Sequence, residues 1–264
     1  MPADEDIDSH LASLDDRCYD HDRQEVLQRA RDAGVAAMMI VGTDRSSSGK
    51  AVRLAAAHSG CFASIGVHPH DARDCTDSVL ADLRELARAE QVRAWGEIGL
   101  DFNRMYSPQA DQERWFVRQL DVAREMGLAL IFHERDSNGR FIELLSAHAD
   151  PGVRGVIHCF GGSPDELLRY LDFGLYVGIT GILTIKQRGA ALREMVTTIP
   201  ADRLLVETDA PYLTPAPEKN HARRNEPAFV RTVLLKLAEV RNEDPAALAE
   251  TVWNNTCRLY GIAA

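Results

Sequence analysis

The sequence predicts an α/β fold, a TIM (β/α)8 barrel formed by residues 1–264 as a single domain, with an irregular or weak first strand. Three observations predict it. The chain has 264 residues, 45% of them hydrophobic, enough for one large core and the usual size of such a barrel. Short apolar runs alternate with amphipathic stretches along nearly the whole length. The apolar runs are close to continuous, as parallel strands covered on both faces are.

Seven strands are expected near 36–42 (AAMMIVG), 61–68 (CFASIGVH), 92–99 (VRAWGEIG), 129–133 (ALIFH), 155–160 (GVIHCF), 175–180 (LYVGIT) and 203–208 (RLLVET). An eighth belongs at the N-terminus, where only Ile7 is apolar between Pro2 and Ser9. A doubly wound open sheet is the alternative. Helices are expected over 20–34, which has an acidic start and stops at Gly34, and over 107–127, which opens on Ser107-Pro108 and stops at Gly127. Others follow Ser163-Pro164, span 225–240, and close the chain near 245–260. No internal repeat, low-complexity tract or linker interrupts this order.

The formal net charge is −10. A broad duplex-binding face is disfavoured, because phosphate binding needs a basic surface. Five cysteines, scattered and without a C-x-x-C pair, read as free thiols in a reducing compartment. The start MPADEDIDSH is acidic and unlike a secretory signal, and no apolar run approaches the ~20 residues of a membrane span. A cytoplasmic protein is expected, with no membrane and no obligate protein partner.

Polar residues collect where the strands end: GVHPH (66–70), GEIGLD (96–101), FHERD (132–136), IHCF (157–160) and ETDAPYL (207–213). In a parallel barrel these C-terminal ends share one face, where active sites are built. His68, Glu97, His133, His158 and Asp209 are expected to converge there. Any one of them has an ordinary explanation, such as a hydrogen-bonded histidine, an arginine-paired glutamate or a capping aspartate. Five at successive strand ends point to a site. Glu207 and Asp209 stand two apart and share a face by strand alternation. Like charges that close repel, so a positive group belongs beside them or one holds a proton. A divalent metal answers this, and the mixed imidazole and carboxylate set suits Zn2+, Mn2+ or, more weakly, Mg2+.

Alternation turns Cys159 away from His158, toward a buried position. His21, His58 and His148 read as surface groups, and Trp115, Phe116 and Leu120 as core. In ARRNEP (222–227), Arg223 and Arg224 are either a solvated pair or a phosphate clamp. Arg135, two residues after His133, is expected to share its face. RSSSGK (45–50) lacks the pattern of a phosphate-binding loop.

These motifs, in this order, closely resemble the TatD family of metal-dependent deoxyribonucleases, from about Tyr19 to the C-terminus. The resemblance favours the barrel over the open sheet. It implies metal-assisted hydrolysis of DNA phosphodiester bonds, often from a 3′ end of a single strand. It assigns metal binding to Glu97, His133, His158 and Asp209, places His68 in the same site, and makes Glu207 the acid beside the metal. Many members begin with Asp-x-His-x-His, which holds another metal. Here the segment is DEDIDSHLAS (4–13), without His-x-His, so Asp8 and His10 are left as a weak second site. The expected catalytic residues are Asp209, Glu207 and His68, and the expected substrate contacts are Arg135, Arg223 and Arg224. Two rival readings keep the barrel. One is a metal-dependent ester or amide hydrolase, such as a D-aminoacyl-tRNA deacylase. The other is a non-catalytic binding protein.

Overall fold

A computed structural model describes residues 7–12, 14, 16–150 and 152–263 of the chain. In chain order these form β1 (Ile7–Ala12), α1 (Arg23–Asp32), β2 (Val35–Val41), α2 (Arg45–Ala57), β3 (Cys61–Ile65), α3 (Asp77–Leu86), β4 (Val92–Asp101) and α4 (Gln109–Met126). Then come β5 (Ala129–Arg135), α5 (Arg140–His148), β6 (Gly155–Ile157), α6 (Pro164–Asp172), β7 (Tyr176–Ile179), α7 (Ala190–Met195), β8 (Leu204–Val206), α8 (Val230–Arg241) and α9 (Pro245–Tyr260). All eight expected strands are present. Among the described residues, no helix is long and apolar enough to cross a membrane.

The chain divides into two compact units, Val41–Tyr176 and the pair of segments Met1–Ile40 and Val177–Ala264. In the first unit β3, β4, β5 and β6 pair in parallel, with Ile65 opposite Trp95, Gly99 opposite His133, and Phe132 opposite Ile157. The core beneath is aromatic. Phe116 from α4 stacks on Phe141 from α5 at 5.1 Å, and Phe132 of β5 meets Phe141 edge-on at 5.2 Å. All three rings are buried, each stabilising by ~1.5–3 kcal/mol relative to exposure.

Two glutamines of α4, seven residues apart, fasten the strand ends to the helix. Gln119 Oε1 accepts from Val67 N at 2.8 Å and from Trp95 Nε1 at 3.2 Å, while its Nε2 donates to Val67 O at 3.0 Å. Gln112 Oε1 accepts from Asp101 N at 2.8 Å, and its Nε2 donates to Asp101 O and Ser107 O at 3.1 and 2.9 Å. Both side chains are buried, so each amide replaces water for backbone groups that no strand partner reaches. Gln119→Leu strands three buried polar groups and is expected to cost on the order of 3 kcal/mol. A urea-unfolding midpoint indistinguishable from wild type would contradict this.

In the second unit β1 pairs with β2 and β7 with β8, again in parallel. The β1–β2 register shifts twice within six residues, which bears out the irregular first strand. RSSSGK (45–50), which lacks the phosphate-loop pattern, forms the N-terminal end of α2, in the first unit. There Asp44 accepts from Ser47 N at 2.7 Å while Ser47 Oγ accepts from Asp44 N at 2.9 Å, a capping box.

Candidate metal centre and active site

Glu97 is the hub of the first unit's polar face. It sits in the middle of β4, yet it is only 8% exposed. Its Oε1 is 2.9 Å from His133 Nδ1, 3.6 Å from His158 Nε2 and 3.9 Å from His68 Nε2. Four of the five convergent residues named from strand ends are thus brought together. The glycines of GEIGLD allow it. Gly99 has φ +144°, and a Cβ there would lie 1.9 Å from the carbonyl oxygen of His133. Only glycine lets β4 approach β5 this closely.

Two residues that sequence reasoning passed over complete the cluster. Asp101, 1% exposed, ends β4, and its Oδ2 lies 2.7 Å from His70 Nε2 and 3.3 Å from His133 Nε2. Its Oδ1 accepts from the N–H groups of Asn103 and Arg104, at 3.0 and 2.8 Å. The signal was in the quoted motifs, as the second histidine of GVHPH and the final acid of GEIGLD. With Nε2 donating to Asp101, His133 turns its Nδ1 toward Glu97 in the orientation of a ligand. A carboxylate behind a ligating histidine fixes its tautomer, and its loss commonly costs 10–100-fold in metal affinity. Asp101→Asn is therefore expected to weaken Mn2+ binding at least about tenfold by calorimetry. Wild-type affinity in that variant would remove Asp101 from this role.

His68 is positioned differently. Its Nδ1 accepts from His70 N at 3.1 Å, so in the neutral ring Nε2 carries the proton and faces Glu97 as a donor. Burial, then the positive charge of His133, push its pKa well below 6.5, so the neutral form is the one present. For His133, burial works against the charge, but the hydrogen bonds it donates to Asp101 and Glu97 win and raise its pKa to about 9. Burial raises the pKa values of Glu97 and Asp101, yet the histidines overcome it and hold both carboxyls far below the usual range.

The other expected residues fall as follows. Arg135 ends β5 with an exposed side chain. Cys159 is half-buried with φ 49°, so the alternation that was to bury it stops at Ile157. In the second unit Glu207 is fully buried, and a Cβ on Gly178 would lie 2.6 Å from its Oε1. β8 ends at Val206 and Asp209 has φ 57°, so the same-face argument for Glu207 and Asp209 ends with the strand. Arg223 is exposed. Arg224, the other expected substrate contact, is engaged within the chain. Its guanidinium binds Cys18 O and Asp22 and lies 4.5 Å over the Tyr19 ring. The rest of RRNEP is a clasp as well. Asn225 Nδ2 donates to Thr208 O and Tyr212 O at 2.8 and 2.6 Å, tying down the ETDAPYL segment, and Glu226 takes a bidentate pair from Arg29 at 2.8 Å. Asp8 and His10 lie on β1, but their side chains are outside the described residues.

The family model described as TatD related DNase matches residues 7–261. The chain belongs to the TatD family of DNases. Among curated relatives it is 46% identical to a 3′-5′ ssDNA/RNA exonuclease TatD of Cronobacter sakazakii, over 92% of this chain and 93% of that one. It is 43% identical to the protein of the same name in Shigella flexneri, over 92% and 94%. Among solved structures, a TatD homologue from Escherichia coli superposes with TM-score 0.89 at 29% identity, covering 98% of this chain and 99% of the other. A TatD family hydrolase from Entamoeba histolytica gives 0.87 at 24%, covering all of both chains, which speaks to the fold. The fold class is the expected α/β TIM (β/α)8 barrel, and the enzyme class is that of hydrolases acting on phosphodiester bonds. The histidine and carboxylate clusters of this TatD protein suit a divalent metal.

Proposed function

We propose that this TatD protein is a metal-dependent exonuclease that removes nucleotides from the 3′ end of single-stranded DNA, the whole of 1–264 serving as one catalytic domain. The observation that carries the reading is the set of three imidazole nitrogens within 4 Å of Glu97 Oε1. Of the three, His133 Nδ1 and His158 Nε2 converge with Glu97 as a cation site requires, while His68 Nε2 carries its proton. His133 Nδ1, His158 Nε2 and Glu97 would hold the cation, joined by Asp209 on the strength of the ETDAPYL motif. The donor mix favours Zn2+ or Mn2+ over Mg2+. A divalent cation so held supplies Lewis acidity for a phosphate oxygen and lowers the pKa of a water.

The chain's own groups do the rest. Asp209, or Glu207 beside it in sequence, accepts the proton of the attacking water. His68 donates from Nε2 to the charge developing on the phosphate. Arg135 and Arg223, both exposed, steady the backbone of the strand. Asp8 and His10 are retained as a weak second cation site. Confinement of the basic contacts to a few side chains reconciles a nucleic-acid substrate with a net charge of −10.

The test uses single-stranded DNA labelled at the 3′ or the 5′ end. EDTA-treated enzyme is compared with Mg2+, Mn2+ and Zn2+ add-back, with Asp209→Asn as the contamination control and labelled RNA as a parallel substrate. Ladders from the 5′ label, dependent on metal and absent from the variant, are expected. No cleavage with any metal overturns the reading.

A further inference from the structure

Two of the five large hydrophobic side chains that the described residues expose are consecutive, on the loop from β4 to α4 that leads away from the histidine cluster. Met105 is 44% and Tyr106 50% exposed. Tyr106 meets His70 edge-to-face, with ring centroids 4.8 Å apart and an interplanar angle of 86°. His70 in turn meets His68 at 4.2 Å and is bonded to Asp101. The tyrosine is thus one ring removed from the histidines that surround Glu97.

The loop is built to hold these side chains out. At its start Asp101 Oδ1 takes the Asn103 and Arg104 N–H groups, and Asn103 Nδ2 donates to Asp136 at 2.7 Å. At its end the buried Ser107 hydroxyl donates to His70 O at 2.7 Å and accepts from Arg73 N at 3.0 Å. Gln112 takes Ser107 O from below. Between these anchors Met105 has φ 50°, a left-handed conformation that a non-glycine residue adopts at a cost. A loop free of a binding role would be expected to put polar residues at such positions. Here the backbone is strained and the apolar side chains face solvent.

We propose that Tyr106 and Met105 form a stacking platform for a nucleobase of the substrate, the one adjoining the phosphate held at the histidine cluster. A half-open aromatic ring beside a flexible thioether accepts the face of any base, and the exposed Arg104 between the two anchors offers its charge to the neighbouring backbone. Bases within a duplex are already stacked on one another, so the platform selects single strands without reading sequence. This rests on the exonuclease reading above.

The test is a cycle between enzyme and substrate. Steady-state cleavage is measured for wild type, Tyr106→Ala and Tyr106→Phe. One substrate is an unmodified oligodeoxynucleotide, and others carry a single abasic residue at the 3′-terminal or the penultimate position. Tyr106→Ala is expected to lose about tenfold in kcat/KM on the unmodified strand, mostly through KM. Wild type is expected to lose about the same on one of the abasic strands, and the variant to lose nothing further there. Tyr106→Phe stays close to wild type. Equal losses on all strands, or none, overturn the platform. Wild type that cleaves no single strand overturns the exonuclease reading and the platform with it. Wild type that cleaves while Tyr106→Ala matches it overturns the platform alone.

Discussion

Glu97→Gln is expected to lower metal-dependent cleavage on the order of a thousandfold, more than the 10–100-fold typical of a residue behind the ligands. The side chain keeps its shape in that variant, so the loss is one of charge. Glu97 is the carboxylate that three imidazoles face, at 2.9, 3.6 and 3.9 Å, two of them buried and that of His133 half-buried. A neutral amide offers a cation a weaker donor and leaves the site without its central negative charge. The same substitution removes one of the two carboxylates that keep His133 protonated in the metal-free protein, so the ring becomes easier to deprotonate. Two measurements separate these effects. Calorimetric titration with Mn2+ should show the affinity fall, and cleavage at saturating Mn2+ should still be deeply impaired. Turnover within tenfold of wild type at saturation would show that Glu97 is dispensable for the chemistry. A normal far-ultraviolet spectrum in the variant guards against a trivial loss of fold.

How much of this centre the sequence discloses depends on what kind of information each residue carries. His68, Glu97, His133 and His158 were legible because each ends or interrupts an apolar run, and the barrel rule collects such positions on one face. His70 and Asp101 carry no such mark. His70 lies beyond the strand, in a 3-10 turn, and Asp101 reads as the tail of a glycine motif. Their roles come from side-chain geometry across 31 residues, which no local pattern encodes. Gln112 and Gln119 are harder still. Seven residues apart on an amphipathic helix, they look like a polar stripe, and only the structure shows them turned inward to backbone groups. Alternation misled where strands stopped early. It holds as far as Ile157 and Val206, and the left-handed residues Cys159 and Asp209 lie just past those ends. Arg224 shows a different limit of the sequence. Arginine suits phosphate and carboxylate equally well, and Asp22, distant in sequence, is the partner it found.

If His133 is a ligand as proposed, the charge arrangement around it makes metal binding a proton-coupled event. Its folded pKa of about 9 lies above the ordinary 6.5 because the bonds it donates to Asp101 and Glu97 outweigh burial. In the metal-free protein the stability from this raised value is fully present below about 6.5 and is lost as pH rises through about 9. The carboxylates run the other way. Glu97 and Asp101 are held below their ordinary values of 4.5 and 3.8, so their contribution is present above those values and lost as pH falls through the lower folded ones. On the ligand set proposed above, a cation would take the lone pair on His133 Nδ1 and displace its proton. Affinity for Mn2+ is therefore expected to rise about tenfold per pH unit from pH 6.5 toward 8, flattening near 9, a gain of roughly fiftyfold between pH 7 and 9. Calorimetry in two buffers of different ionisation enthalpy should count close to one proton released per cation at pH 7. Asp101→Asn lowers the His133 pKa and should shift the whole profile to lower pH, even as it weakens binding at the plateau. If affinity is flat across this range and no proton is released, His133 does not bind the cation through Nδ1, and the ligand set must be redrawn around His158, Glu97 and Asp209.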